Sequence, residues 1–182
     1  MPSCKTPLPF HNLSERHSGL TYYIAEGYTE AARVCLDRHH SSPVEFAVGR
    51  TGCEVEVECE WNAADQRTRN AWANETDTTE IGAYALALAG VEVAEGWVAV
   101  MRAETKTGAD YYLAPKDSDP EDFETCHRLE ISGVDGGSNA VVKNRLKEKV
   151  AQAAGGKSKL PALAAVVGFK EKVVLIEAVV VL

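Results

Sequence analysis

The sequence is most constrained by one helix that is apolar on nearly all sides. The run from Ile81 to Val91 reads IGAYALALAGV, with no charged residue in it. A helix of this kind is buried on most sides, so other elements have to cover it. Asp77-Thr78-Thr79-Glu80 stands immediately before it and has the form of a capping box, which predicts a helix from Asp77 to about Glu92.

The residues that follow predict a sheet to cover this helix. Strand patterns occur at 97–101, 110–113 and 129–131, a second helix is predicted over 139–154, and two further strands at 165–169 and 173–176. Trp97–Met101 lacks alternation, as a strand covered on both faces does. Helices and strands in this order predict an α/β layer with a mixed central sheet flanked by helices.

The N-terminal part predicts an addition to that layer. Three prolines and mostly polar residues predict a loosely ordered arm over 1–20, and strand-forming residues at 19–24 predict an edge strand. A helix is predicted from about Thr29 to His40, and a hairpin from the alternating residues 44–61. We therefore expect a single domain over 1–182, with an N-terminal helix and hairpin at 21–76 and a core at 77–182.

The composition limits the expected location and binding partners of the protein. No apolar run reaches the roughly 18 residues that a membrane span needs, and the first residues lack the apolar stretch of a secretory signal. The five cysteines are then expected to be reduced thiols in a cytoplasmic protein. The net charge of −8 divides into −13 over residues 1–139 and +5 over 140–182. This acidity disfavours non-specific nucleic-acid binding but leaves room for a local basic face on the C-terminal helix.

Two carboxylates are candidates for a metal site. Asp110 begins a predicted strand after the turn at Gly108, and Glu130 lies in the next strand between Leu129 and Ile131. If the two strands are neighbours, both carboxylates point to one place. Paired carboxylates suit a hard divalent cation, Mg²⁺ or Mn²⁺, which can assist the attack of water on a phosphodiester.

Lys149 is the third candidate. In the predicted helix 139–154 it borders the apolar face formed by Val142, Leu146 and Val150. An ammonium so close to a buried face needs a carboxylate partner, for which Asp110 and Glu130 are the candidates, or it extends along its stem to solvent.

The arrangement of these residues resembles the PD-(D/E)XK, or restriction-endonuclease-like, nuclease superfamily. A helix with Glu80, a strand pair with Asp110, a strand with Glu130-x-Ser132 and a helix with Lys149-x-x-Gln152 follow one another. The resemblance covers residues 77–170 and implies that Asp110 and Glu130 bind a divalent metal, with Glu80 as an accessory acid. Gln152 resembles the helix glutamine of some branches.

The chain departs from the pattern of that superfamily at two positions. The lysine expected two residues after Glu130 is Ser132, and the residue before Asp110 is Ala109 rather than proline. Migration of the lysine to the following helix is known in the superfamily, so the resemblance implies that Lys149 takes the role of orienting or activating water. Glu80 has a structural alternative as the capping residue that pairs with Asp77.

The sequence is consistent with three functions. The first is a metal-dependent nuclease that cleaves DNA or RNA, with defence against foreign nucleic acid as one setting, and it predicts a basic rim of Lys143, Arg145 and Lys147. The second is a non-catalytic interaction module on a nuclease-like fold, such as an immunity, antitoxin or assembly subunit. The third is an α/β protein that binds a small molecule. Fold alone does not separate them.

Overall fold

The computed structural model describes residues 5–118 and 122–180. The predicted arm residues 1–4, part of the acidic loop at 119–121 and the last two residues lie outside this part of the chain. Among the described residues there are four α-helices: α1 (Tyr22–His39), α2 (Gln66–Ala71), α3 (Glu75–Glu95) and α4 (Asn139–Ala154). There are seven strands: β1 (Val44–Arg50), β2 (Cys53–Cys59), β3 (Trp97–Arg102), β4 (Tyr111–Pro115), β5 (His127–Val134), β6 (Ala162–Gly168) and β7 (Val173–Val179).

All seven strands form one mixed sheet in the order β2-β1-β7-β6-β5-β4-β3. The pairs β1/β7 and β5/β6 are parallel, and the other neighbours are antiparallel. One face is covered by α3, with α1 packed against it, and the other by α4, which contacts β5, β6 and β7. The predicted fold class, a single α/β domain with a mixed sheet flanked by helices, is confirmed.

The apolar helix lies at the centre of the molecule, as its composition predicts. Every residue of α3 from Gly82 to Val91 is buried. The helix begins two residues earlier than predicted, because the side chain of Asn74 accepts a hydrogen bond from the Asp77 backbone N–H at 3.1 Å and caps the first turn. Gly96, with φ of 69°, ends it in the left-handed conformation that glycine adopts without strain.

The observed bounds of the two other long helices, α4 and α1, agree with the predicted bounds to different degrees. The observed bounds of α4 are those predicted, residues 139–154. In contrast, the predicted strand at 19–24 is wrong, because Thr21 caps α1 by accepting from the Ile24 backbone N–H at 3.4 Å. The exposed Tyr22, Tyr23 and Ile24 carry strand-forming side chains, but tertiary packing of the following turns extends the helix over them.

The prediction of a loosely ordered arm is wrong for residues 5–20. Leu8, Phe10 and Leu13 are buried in the main core, and His17 is fully buried beside them. This segment also lies along both outer strands of the sheet. The Glu58 backbone N–H of β2 donates to Thr6 at 2.9 Å, and the Gly19 N–H donates to the Ala99 carbonyl of β3 at 3.0 Å. These three buried apolar side chains, the buried His17 and two edge contacts outweigh the polar composition.

The position of β3 at the edge of the sheet explains why its burial differs from the prediction. Trp97–Met101 was expected to be covered on both faces, yet β3 is an outer strand of the sheet, and only Val98 and Ala99 in it are buried. The predicted hairpin of β1 and β2 is present, with Val57 and Cys59 buried and the glutamates on the other face. Cys53 and Val55, which alternate with the same glutamates and were expected to be buried, are exposed in this outer strand. No helix in the described part of the chain is long and apolar enough to cross a membrane.

Candidate functional site

A cleft between α3 and α4, where β4 begins, contains every residue of the predicted site. Its volume is about 630 Å³. The predicted residues that line it are Glu80 from α3, Asp110, Glu130 from β5, and Lys149 and Gln152 from α4. The chain from Arg102 to Gly108 forms another wall, and Gly155 and Gly156 lie at the floor. The residues that the sequence singles out for chemistry therefore face one space.

Asp110 is held in the cleft by three donors. It immediately precedes β4, and its backbone N–H donates to the Leu129 carbonyl at 2.7 Å, which fixes it beside β5. One carboxylate oxygen accepts from the Ile131 N–H at 2.8 Å. The other accepts from the Tyr84 hydroxyl at 2.8 Å and from the Arg102 guanidinium at 3.4 Å. Asp110 is thus oriented from three elements, β5, α3 and β3.

Glu130 and Lys149 form a buried ion pair. The Lys149 Nζ donates to Glu130 Oε1 at 2.8 Å and to Gln152 Oε1 at 3.0 Å. Glu130 is only 5% exposed and the Lys149 side chain 19%. Burial raises the pKa of Glu130; the bond from Lys149 opposes this rise, and the charge of nearby Asp110 adds to it. Of the two alternatives for Lys149, pairing with a carboxylate is the one observed.

Glu80 lies on the α3 wall and does not cap the helix. Asn74 is the N-cap, which places Glu80 past the first turn, so the predicted capping role is wrong. Its side chain is exposed and has no hydrogen bond to another described residue. It lines both this cleft and an adjoining one, so its carboxylate is accessible to anything bound between them.

Sequence reasoning missed a cluster of tyrosines and one arginine that supports Asp110. The Arg102 guanidinium lies over the rings of Tyr84 and Tyr111, at 4.8 Å from each centroid. Tyr84 stacks on Tyr28 at 4.9 Å, and the Tyr28 and Tyr111 hydroxyls are 2.7 Å apart. Burial, with the charge of Asp110, raises the pKa of Tyr84, so its hydroxyl stays protonated and donates. These residues come from four separate elements, α1, α3, β3 and β4, and no local pattern reveals their contact.

A second cavity of about 390 Å³ continues the cleft along β5. It shares Glu80, Ile131 and Lys149 with the first and is also lined by Ser132 and Arg145. Ser132, which occupies the lysine position of the resembled motif, is 8% exposed, and its hydroxyl lies 3.5 Å from Arg145 Nη1. Two cations, Arg145 and Lys149, line this cavity beside Ser132.

The predicted basic rim is not assembled at the cleft. Arg145 lines the second cavity, but Lys143 and Lys147 line neither of the two. At about 100° per residue, Lys143 and Lys147 lie on the opposite flank of α4, across the buried stripe of Val142 and Leu146. Basic residues spaced closely in sequence are thereby separated by the helix. The cations at the cleft are instead Arg102, Lys106, Arg145 and Lys149.

Arg128 is a buried cation beneath the floor of the cleft. It is fully buried, on the same face of β5 as Glu130, two residues away. Its guanidinium donates to the carbonyls of Thr107 at 2.8 Å, Ala153 at 3.0 Å and Leu160 at 3.1 Å. These bonds attach the loop before Asp110 to the C-terminal end of α4. The alternation of polar Arg128, Glu130 and Ser132 with Leu129 and Ile131 is the sequence signal that marks this polar face.

Asp110 and Glu130 are the two carboxylates of the cleft that could hold a divalent cation. Mg²⁺ is held by one or two carboxylates and keeps several waters, and Asp110 and Glu130 supply two. Glu130 Oε2 has no hydrogen-bond donor among the described residues, although the residue is nearly buried. The charge of Asp110 also disfavours ionisation of Glu130, and a cation between them removes that cost. Over residues 5–118 and 122–180, no group of three or more His, Cys, Asp or Glu side chains has a metal-binding arrangement.

The comparisons with known proteins give no family assignment. No family model, no curated protein and no solved structure matches this chain.

Proposed function

We propose that this protein is a metal-dependent nuclease that hydrolyses phosphodiester bonds of DNA or RNA, with a site of the PD-(D/E)XK type. The observation that carries the proposal is the convergence of Asp110, Glu130 and Lys149, from a loop, a strand and a helix, in one open cleft. The resemblance implies that two metal-binding carboxylates lie beside a lysine, and this arrangement supports the proposal.

The carboxylates of Asp110 and Glu130 would hold Mg²⁺ or Mn²⁺, with Glu80 on the facing wall as the accessory acid. When bound, the cation supplies charge stabilisation at the phosphate and lowers the pKa of a coordinated water. Ile131 and Tyr84 hold Asp110 in a fixed orientation through hydrogen bonds of 2.8 Å each. Preorganised ligands of this kind do not have to be ordered during the reaction.

Lys149 orients the attacking water in this scheme. Its ammonium has three N–H donors, and Glu130 and Gln152 accept two of them. The third remains for a water oxygen or a phosphate oxygen. Because Lys149 reaches Glu130 from α4, it does from the helix what the resembled motif assigns to the residue at 132. The water forms a bond to phosphorus and gives a proton to exposed Glu80, the bond to the leaving sugar oxygen breaks, and that oxygen takes a proton from solvent water.

Calorimetric titration with Mg²⁺ and Mn²⁺, together with cleavage of single- and double-stranded DNA and RNA, tests the proposal. Asp110→Asn and Glu130→Gln are expected to lose cation binding and cleavage. Glu177→Gln, which removes an exposed carboxylate on β7, is the matched control and is expected to behave as wild type. Wild type that binds neither cation would contradict the nuclease proposal.

A second candidate, the non-catalytic interaction module, is favoured by a different observation. The two carboxylates already have protein partners: three donors bind Asp110, and Lys149 binds Glu130. A network satisfied in this way stabilises the fold without a cation. If this candidate holds, the thermal midpoint of wild type is the same in EDTA and in Mg²⁺, and no nucleic acid is cleaved.

A further inference from the structure

Arg102 is the cation of the cleft whose guanidinium is fixed on one side and open on the other. It is the last residue of β3, and its guanidinium lies over both Tyr84 and Tyr111 at 4.8 Å from each ring centroid. Its Nη2 donates to the Tyr84 hydroxyl at 3.1 Å and to Asp110 at 3.4 Å. The aromatic face and the two acceptors together restrict the plane of the guanidinium before any ligand binds.

The remaining donors of Arg102 have no described partner. Nε and Nη1 make no hydrogen bond to a residue within 5–118 or 122–180, and the side chain is 50% exposed toward the cleft it lines. The bond to Asp110 is long for a charge-assisted pair, so it does not account for the arginine by itself. A planar guanidinium with unused donors matches the oxygen pair of a phosphate, which it binds bidentately.

We infer that Arg102 binds the phosphate group of the substrate and couples its binding to that of the divalent cation. This inference rests on the proposed nuclease function and names a residue that neither the sequence motif nor the resemblance assigns. Arg102 and Lys149 lie on different walls of the cleft, one from β3 and one from α4, with Asp110 and Glu130 between them. A phosphate bound by Arg102 is therefore beside the two carboxylates.

The coupling follows from the acceptor that Arg102 shares with the cation. Asp110 Oδ1 accepts from Arg102 in the structure and is also an oxygen that would bind the cation. A phosphate bound to the Arg102 guanidinium weakens the hydrogen bond from Arg102 to Asp110, so Asp110 is freer to bind the cation. A cation bound to Asp110 weakens the same hydrogen bond, so the guanidinium is freer to bind the phosphate. Each ligand then raises the affinity for the other, and the two factors must be equal because binding free energies are reciprocal.

Titration with inorganic phosphate, followed by phosphorus NMR and calorimetry in EDTA and in Mg²⁺, tests this inference without relying on cleavage. Arg102→Gln is expected to weaken phosphate binding by about tenfold or more, because the charge-assisted hydrogen bonds to the phosphate are lost. Arg102→Lys keeps the charge but lacks the planar pair of donors, and it is expected to recover only part of the affinity. Lys147→Gln, which removes a charge on the far flank of α4, is the control.

The coupling has its own readout. In wild type, Mg²⁺ is expected to increase phosphate affinity, and phosphate to increase Mg²⁺ affinity by the same factor; in Arg102→Gln both factors fall toward one. Phosphate affinity that is equal in wild type and Arg102→Gln, or absent from wild type in both media, overturns the inference. Cleavage assayed on the same samples separates the two proposals. If Arg102→Gln cleaves nucleic acid with an unchanged KM, the nuclease proposal holds but Arg102 does not bind the substrate phosphate. Arg102-dependent phosphate binding without cleavage supports the anion site and contradicts the nuclease.

Discussion

At the scale of single residues, the stability of the cleft depends on the Glu130–Lys149 pair. Replacing Lys149 with methionine leaves Glu130 buried without its donor, and we expect a loss of about 1–3 kcal/mol in the free energy of unfolding at neutral pH. Urea titration measures this loss. The double variant Lys149→Met/Glu130→Gln removes the unpaired charge and is expected to recover part of it; a double variant no better than the single one would contradict the assignment.

The same pair gives a pH dependence with a defined sign. The pKa of Glu130 in the folded protein is raised above its ordinary value, chiefly by burial. A raised pKa means that the folded state binds the proton more tightly, so Glu130 costs stability as pH rises through its folded pKa. In Lys149→Met the opposing bond is gone and the pKa rises further. The stability difference from wild type is therefore expected to shrink toward acid pH, and a constant difference would contradict this account.

The sequence predicts the charged residues of the site better than the residues that orient them. Asp110 and Glu130 are predictable because neighbouring strands bring them together, and Lys149 because it borders an apolar helix face. Tyr84 and Arg102 are not, because their contact with Asp110 joins α3, β3 and β4 through tertiary packing alone. Tyr84 was assigned to the apolar surface of its helix, and its hydroxyl partner is 26 residues away.

At the scale of elements, Gly133 sets how closely α3 approaches β5. A Cβ at this position would lie 2.6 Å from the Thr79 carbonyl oxygen, which is backbone and has no room to move. We expect Gly133→Ala to lower the free energy of unfolding by about 1–3 kcal/mol through overpacking. It should also separate Glu80 from Glu130 and weaken cation binding in calorimetry.

Gly27 in α1 is the matched control for this variant. No other atom lies within 4 Å of a Cβ added there, and glycine inside a helix is less favourable than alanine. Gly27→Ala is therefore expected to stabilise the protein by about 0.5–1 kcal/mol and to leave cation binding unchanged. If urea titration showed that Gly133→Ala stabilises the protein as Gly27→Ala does, the close packing of α3 on β5 would not restrict the side chain at position 133.

The elements also show where periodicity is sufficient. The stripe of Val142, Leu146 and Ala153 is enough to fix α4, because this helix packs on one face only. The start of α1 is not predictable in the same way. Its first turn exposes Tyr22, Tyr23 and Ile24, residues typical of strands, and only the buried turns after it determine the conformation.

At the scale of the whole molecule, residues 5–20 are attached to α3 by a partly buried charge cluster. Arg16 donates to both oxygens of Glu92, at 2.8 and 3.0 Å. His17 accepts from the Ala99 N–H with Nδ1, so its Nε2 carries the proton and donates to Glu92 at 3.2 Å. Burial raises the pKa of Glu92, but the bonds from His17 and Arg16 outweigh it and leave the pKa below its ordinary value.

This cluster predicts how the molecule responds to acid. A lowered folded pKa means that Glu92 contributes stability above its unfolded pKa, and that this contribution is lost as pH falls through the folded value. Glu92→Gln is expected to cost about 1–2 kcal/mol at neutral pH, measured by urea titration, and to approach wild type at acid pH. Glu26→Gln on α1 is the control. A Glu92→Gln deficit that persists unchanged at acid pH would show that packing, not charge, holds the segment.

The N-terminal segment also covers both edges of the sheet, which gives the last prediction. Residues at the edge of a sheet present unpaired N–H and C=O groups to which other chains can pair. Thr6 and Leu8 bond to Glu58 on β2, and Gly19 bonds to Ala99 on β3, so one segment blocks the two outer strands.

Deletion of residues 1–20 removes both edge contacts together with the buried Phe10 and Leu13. We expect the truncated chain to unfold at lower urea and to form concentration-dependent oligomers in light scattering. Phe10→Ala/Leu13→Ala keeps the edge contacts while it lowers core stability, so it should be destabilised but monomeric. Equal association of the two variants would mean that exposed core, rather than uncovered edges, drives it.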